Sequence, residues 1–298
     1  MLIAALAWLL GACASTPSES TSAPPYTDDE LRNTDLDLIF ATEFPVASKE
    51  DALSRAEMAR TSGEIDKALF FYVKALKFDP EDAELLAAIG RLHQYQGNNR
   101  LAARAYSLAL ESRPEFPEVL EARGLILLGH DEEEQAISDL TRAVVLNPNA
   151  WQAYSGLGLL ADRKGNHTEA IAHYDAALAI NPDSGPVLNN RGFSKMLAYD
   201  FIGAEKDLSR AANELGHRQA WVNLGAFYGK LGLYDRAVET YEKVLPKPEA
   251  RNKVAEASMA KGDYAEAERL LEQAIKLSPA YFQEAEDNLA RILQRKGG

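Results

Sequence analysis

From residue 49 onward, apolar side chains recur at three- and four-residue spacing, the stripe of an amphipathic helix, with polar residues on the opposite face. The stripes break at regular places. Gly63, Gly97, Gly165, Gly232 and Gly262 mark turns, and Pro80, Pro114, Pro148 and Pro182 mark ends, because proline cannot continue a helix. The four prolines are 34 residues apart. Ala68, Ala102, Ala136, Ala170 and Ala204 keep that period, as do Ala75, Ala109, Ala143, Ala177 and Ala211, and Gly90, Gly124, Gly158 and Gly192. The repeat predicts an all-α chain of tandem helix–turn–helix units. Small residues let the two helices of a unit approach closely, and Tyr72, Tyr106, Tyr174 and Tyr241 fill the space between neighbouring units. No unit can bury its apolar faces alone, so neighbours must stack.

These residues resemble the tetratricopeptide repeat family. Units open at Lys49, Ala83, Pro117, Trp151, Gly185, Arg218 and Pro248. The fourth carries the pattern most fully, with Tyr154, Leu157, Gly158, Gly165, Ala170, Tyr174, Ala177 and Pro182. The sixth follows with Trp221, Leu224, Gly225, Tyr228, Gly232, Ala237 and Tyr241. In that unit Pro246 and Pro248 arrive early, so its second helix should lose about a turn. The resemblance implies a right-handed superhelical solenoid over residues 48–280, about seven helix pairs, closed by a capping helix in residues 281–298. Three units place Arg55, Arg123 and Arg191 where the family usually has leucine. Two of them carry Asp139 and Asp207 on the second helix, where the units with Leu157 and Leu224 have His173 and Thr240. Arg123–Asp139 and Arg191–Asp207 therefore read as ion pairs within a repeat, since a buried arginine needs such a partner. Arg55 has Phe71 at that place and no evident counter-charge.

The N-terminus breaks the period. Residues 1–12 are an apolar run ending in small residues, and Leu10-Gly11-Ala12-Cys13 resembles the lipobox of bacterial lipoproteins, although no Lys or Arg precedes the run. The resemblance implies a signal peptide over 1–12, acylation of Cys13 and a lipid anchor at the membrane. Ala14 after the cysteine implies the outer membrane, with the body facing the periplasm. Residues 13–47 read as a linker. The stretch 14–33 is rich in Ser, Thr, Pro and acids and cannot bury a core, and a coil of about thirty residues here would span ~30 Å. Residues 34–46 are more apolar (Leu36, Leu38, Ile39, Phe40, Phe44). They are expected either to dock on the first repeat or to serve as a self-ligand or partner segment.

Composition then narrows the function. The 298 residues carry a formal charge of −13. That balance argues against nucleic acid as a main partner, since no basic stripe is present to neutralise phosphates. Cys13 is the only cysteine, which excludes an intramolecular disulfide and a cysteine-based zinc site. The sequence shows no nucleophile elbow, zinc-protease motif or phosphate loop. Gly225 to Lys230 falls one residue short of a phosphate loop and lies inside a predicted helix. The acids Asp131 to Glu134 open a helix, where they favour its dipole. No enzyme activity, metal, cofactor or small-molecule substrate is expected.

Function is therefore expected in the groove. In the family, positions 2, 5, 6, 9, 12 and 13 of each first helix face a concave surface. Position 9 carries Leu125, Leu159 and Phe193, position 12 carries Leu128 and Met196, and position 13 carries Leu197. They are expected to form an apolar stripe suited to a helix or extended segment of a partner. Asn189, Asn190 and Asn223 add amides that can donate to and accept from a peptide backbone. The segments Leu188–Gly192, Ala204-Glu205, Ala220–Gly225 and Ala267-Glu268-Arg269, with the short sixth unit, resemble the Tad (tight adherence) pilus assembly lipoproteins, the TadD group. That resemblance implies a partner among secretins or other pilus and secretion components. The other reading is an envelope adaptor that recruits or regulates peptidoglycan hydrolases or proteases.

Overall fold

The computed structural model describes residues 45–130 and 132–296. The signal-peptide, Cys13 and most of the linker expectations fall outside the described residues. Among the described residues there are fifteen α-helices, one π-helical turn and no strand. The chain divides into two compact units, residues 1–105 and 106–298.

In the first unit, α1 (Lys49–Thr61) and α2 (Ile65–Leu76) form a hairpin, and α3 (Ala83–Tyr95) packs on α2. Ser48 starts α1, its hydroxyl accepting from the Asp51 amide at 3.2 Å, and the Asp82 carboxylate caps α3 through Glu84 and Leu85 N–H. Lys49 ties the two starts together, 2.7 Å from both Asp79 and Asp82. The alanines Ala52, Ala56, Ala68 and Ala75 are buried without remainder, which is what close helix approach requires. Helix α4 (Asn99–Ser112) carries the chain across the unit boundary.

In the second unit the hairpins are α5 (Pro117–Leu127) with α6 (Glu133–Leu146), α7 (Trp151–Arg163) with α8 (His167–Ile180), and α9 (Gly185–Leu197) with α10 (Phe201–Ser209). They continue with α11 (Arg218–Leu231) and α12 (Tyr234–Tyr241), then α13 (Lys247–Lys261) and α14 (Tyr264–Leu277). Helix α15 (Gln283–Lys296) packs on α14 and α13 and closes the series. First helices of neighbouring hairpins touch one another, so α5, α7, α9, α11 and α13 build one continuous face. The tandem pairs are what the 34-residue period predicts, and the closing helix is the cap that the resemblance to the repeat family implies. The repeat glycine has a steric cause: a Cβ on Gly158 would sit 2.6 Å from Cε1 of Tyr174. The tyrosine ring of the second helix lies directly on the backbone of the first. Helix α12 has 8 residues where α8 has 14, the loss that the early prolines predict.

The fifth hairpin departs from its sisters in two ways that the period does not show. Its second helix ends in a π-helical turn, Arg210–Glu214, and Gly216 (φ 65°) stands where the other units have proline. At its inter-helix turn, Tyr199 adopts φ 65°, whereas five sister turns use glycine at φ 75–83°. A side chain in the left-handed region costs about 1 kcal/mol.

Candidate functional site: the first-helix face

The expected groove residues all lie on first helices of the second unit: Leu125 on α5, with Leu128 at its C-cap, Leu159 on α7, Asn189, Asn190, Phe193, Met196 and Leu197 on α9, and Asn223 on α11. Leu125, Leu159, Phe193 and Leu197 are half-buried, so each keeps part of its apolar surface in the open. Leu125 and Leu128 lean on the next hairpin, because their methyl carbons lie 3.1 and 3.5 Å from where a Cβ on Gly156 would stand. Two residues correct the sequence reading. Met196 is only 5% exposed and belongs to the core formed with Ala204, Leu208 and Phe227. The helix turns position 12 inward here, because Phe227 of the following hairpin packs into the same core. Asn189 is 3% exposed and is a buried connector rather than an open amide.

That connector joins two hairpins. Asn223 Nδ2 donates to Asn189 Oδ1 at 2.8 Å, Asn189 Nδ2 donates to Asn190 Oδ1 at 3.2 Å, and Gln219 Nε2 donates to Asn223 Oδ1 at 3.4 Å. Among the described residues, Asn190 Nδ2 has no acceptor, so its donors remain for a ligand. The same device recurs at Asn252 on α13 and Asn288 on α15, where Asn288 Nδ2 donates to Asn252 Oδ1 at 3.2 Å and both residues are buried. Sequence reasoning missed this second pair. Its signal is the recurrence of asparagine at Asn189, Asn223, Asn252 and Asn288, with spacings of 34, 29 and 36 residues.

Beside the face, two arginine clamps stand as the sequence predicts. Arg123 grips Asp139 with two bonds of 2.7 and 2.8 Å, and its Nη1 donates to Ser107 of the preceding second helix at 3.1 Å. Arg191 grips Asp207 with two bonds of 2.7 Å and reaches Asp175 at 2.7 Å, and Lys195 adds a third cation contact to Asp207 at 2.9 Å. Burial pushes the Asp207 carboxyl up, but the Arg191 and Lys195 contacts outweigh it and hold the group below the usual aspartate range. Arg55 finds Asp51, one turn earlier on its own helix, at 2.8 Å and lies over the Phe71 ring at 5.7 Å.

One polar cluster has the membership of a catalytic set. Asp162 accepts from Tyr174 Oη at 3.0 Å and from Ser194 Oγ at 2.5 Å, and faces His167 Nδ1 at 2.9 Å. Its order is wrong for nucleophilic chemistry, because the aspartate stands between the serine and the histidine. Ser194 and Tyr174 are also fully buried. The cluster is a knot that joins α7, α8 and α9. His93 has its pKa lowered by burial, and its Nδ1 is buried without a partner. Among the described residues no group of His, Cys, Asp and Glu could hold a metal ion. The first unit has its own hollow of about 700 Å³, lined by Leu53, Glu57, Tyr72, Leu85, Arg91 and Tyr95 among others. In it Glu57 is hydrogen-bonded by Tyr72 and Arg60, a mixed polar and apolar lining that the apolar stripe does not include.

Tetratricopeptide repeat models match residues 87–137 and 130–185, 219–245 and 248–281, together more than half of the chain. The chain is 26% identical to the BBSome complex member bbs-4 of Caenorhabditis elegans over 182 residues, covering 60% of this chain and 39% of the relative. It thus spans about two fifths of that protein. Among solved structures, MamA aligns at 27% identity and a TM-score of 0.51, over 55% of this chain and 90% of its own. A tetratricopeptide repeat protein from Parabacteroides merdae aligns at 18% identity and a TM-score of 0.59, over 82% of this chain and 98% of its own, a likeness of fold. With its glycine–tyrosine contacts, stacked hairpins and matching repeat models, the chain belongs to the tetratricopeptide repeat family.

Proposed function

We propose that the protein is a non-enzymatic, lipid-anchored scaffold that holds a segment of a protein partner on the first-helix face of its second unit, and that the partner is a secretin or another component of a pilus or secretion machine. Scaffolding of protein partners is the common work of the tetratricopeptide fold. The observation that carries the site is the row Leu125, Leu159 and Phe193, half-exposed on three successive first helices, with the open Asn190 donors beside it. Apolar side chains anchor a segment, and an amide able to donate to its backbone fixes its register. The match to a protein named as a complex member favours a place in an assembly. The lipobox-like Leu10-Gly11-Ala12-Cys13 supports anchoring at the outer membrane with the body in the periplasm.

The test places Glu at Leu159 or Phe193. A charge that a partner must desolvate weakens binding by several kcal/mol, about the cost of burying an unpaired polar group. The expected result is a folded protein at normal abundance with loss of secretin multimers. Intact multimers alongside loss of a bound hydrolase or protease would transfer the site to the adaptor reading. Cys13→Ala should release the protein from the membrane and abolish fatty-acid labelling, and labelling that survives the substitution refutes the anchor.

A further inference from the structure

We propose that the turn edge of the fifth and sixth hairpins is a self-association surface through which two copies of this chain pair. Four side chains there depart from most of their counterparts in the sister hairpins. Tyr199 occupies the left-handed position that Gly63, Gly97, Gly165, Gly232 and Gly262 fill elsewhere, and it is 76% exposed. Ile202 is 86% exposed where the matching positions hold Asp66, Arg100, Glu134, Thr168, Asp235 and the small Ala265. Leu233 puts an exposed apolar side chain at the N-cap of α12, where the second helices of sister hairpins start at the polar Glu64, Glu132, Asn166, Asp200 and Asp263. Leu231 is exposed at the end of α11, where other turns carry Ser62, Gln96, Lys164 or Lys261.

These residues form one patch. The Lys230 ammonium lies 5.8 Å from the Tyr199 ring centroid, which bridges the two turns, and Phe201 packs between Tyr199 and Phe227 at 6.0 and 6.2 Å. None of the four side chains is needed by the repeat, because the other hairpins fold without them. An observed strained residue beside exposed apolar surface points to function at that spot.

The charges around the patch select the occupant. Its rim holds exposed Lys206 and Lys230 together with exposed Asp200 and Asp235. An anionic lipid surface calls for a basic rim, and this rim carries aspartates as well as lysines. A rim with both signs complements itself: across a two-fold axis, the lysines of one copy face the aspartates of the other. The apolar centre is small against the roughly 800 Å² per partner of a standard interface, so pairing should be reversible and micromolar.

Sedimentation velocity on the full chain, carrying Cys13→Ala to keep it free of acylation, tests this across a series from low to hundreds of micromolar. The expected result is a monomer-to-dimer rise in mass. Tyr199→Gly and Ile202→Asp should each weaken it by about tenfold or more. Tyr199→Gly installs the residue of the sister turns, so its melting temperature should equal or exceed that of the wild type, which separates lost pairing from lost folding. Lys206→Glu with Lys230→Glu should abolish pairing, Asp235→Lys should weaken it, and mixing the two variants should restore a mixed dimer. A wild type that stays monomeric throughout, a Tyr199→Gly variant that pairs unchanged, or a mixture that stays monomeric overturns the proposal. Tyr199-dependent sedimentation of a monomer with lipid vesicles overturns it too, and assigns the patch to lipid.

Discussion

Replacing Arg123 with leucine should destabilise the second unit far more than replacing its partner as well. Asp139 is 2% exposed, and both its oxygens are held by the Arg123 guanidinium. Arg123→Leu leaves that carboxylate buried without a counter-charge, a change that costs about 3 kcal/mol. In a body of this size that lowers Tm by ~6–12 °C. The sister hairpin α11/α12 shows the apolar solution. Leu224 stands at the arginine position, and Thr240 at the aspartate position satisfies its own hydroxyl by donating to the Arg236 carbonyl at 2.6 Å. Arg123→Leu with Asp139→Thr should therefore recover most of the loss, because the introduced hydroxyl can reach the carbonyl four residues back. The residual deficit is the lost bond to Ser107, about 1 kcal/mol. Urea unfolding of the wild type, both single variants and the double variant closes the cycle, with an expected coupling of about 2 kcal/mol or more. Single effects that add within ~0.5 kcal/mol would falsify the clamp.

Gly158→Ala should destabilise by about 1–3 kcal/mol, read as a lower melting temperature, because its Cβ meets the Tyr174 ring at 2.6 Å. Asp207 has a folded pKa below its ordinary value, so its stabilising contribution is full above pH ~3.9 and is lost as pH falls through the folded value. Asp207→Asn should consequently flatten the acid limb of the stability profile while lowering stability near neutrality. Glu256 on α13 behaves with the opposite sign. Burial raises its carboxyl, the Glu284 carboxyl on α15 adds to the rise, and Lys253 opposes it. Its contribution is full below pH ~4.3 and is lost as pH rises through the folded value. Glu256→Gln should thus slow amide exchange in α15 at about pH 7 and change little at about pH 4; equal protection at both pH values would refute the sign.

The parts of this molecule that the sequence discloses are those repeated in register. Gly158 and Tyr174 recur as Gly225 and Tyr241, so the contact between them is written in the chain as a shared 16-residue separation. The clamps are legible for the same reason: Arg123 and Asp139 keep the separation of Arg191 and Asp207, and a buried arginine demands a partner. Met196 reads wrongly from its repeat position because the exposure of a first-helix side chain depends on how closely the next hairpin approaches. Phe227, 31 residues downstream, decides that. Asn252 and Asn288 are hidden because their spacings, 29 residues from Asn223 and 36 from one another, both leave the 34-residue period. The π-turn at Arg210–Glu214 has no local pattern of its own.

A repeat array offers an internal standard that a unique fold lacks. Each hairpin solves the same packing problem, so a residue that departs from its sisters is answering some other demand. By that standard Arg123 and Leu224 are two answers to one structural question, since each is completed by its own partner across the hairpin. Tyr199, Ile202 and Leu233 are different. They have sisters that fold with glycine and with polar residues, and they leave apolar surface exposed that the repeat itself does not require. The half-exposed row Leu125, Leu159 and Phe193 runs along the helices, whereas the apolar patch at Tyr199 sits at their turns. A scaffold can hold a segment on the first surface while its turns engage a second molecule, and substitutions at Phe193 and at Tyr199 should then impair separate steps of assembly.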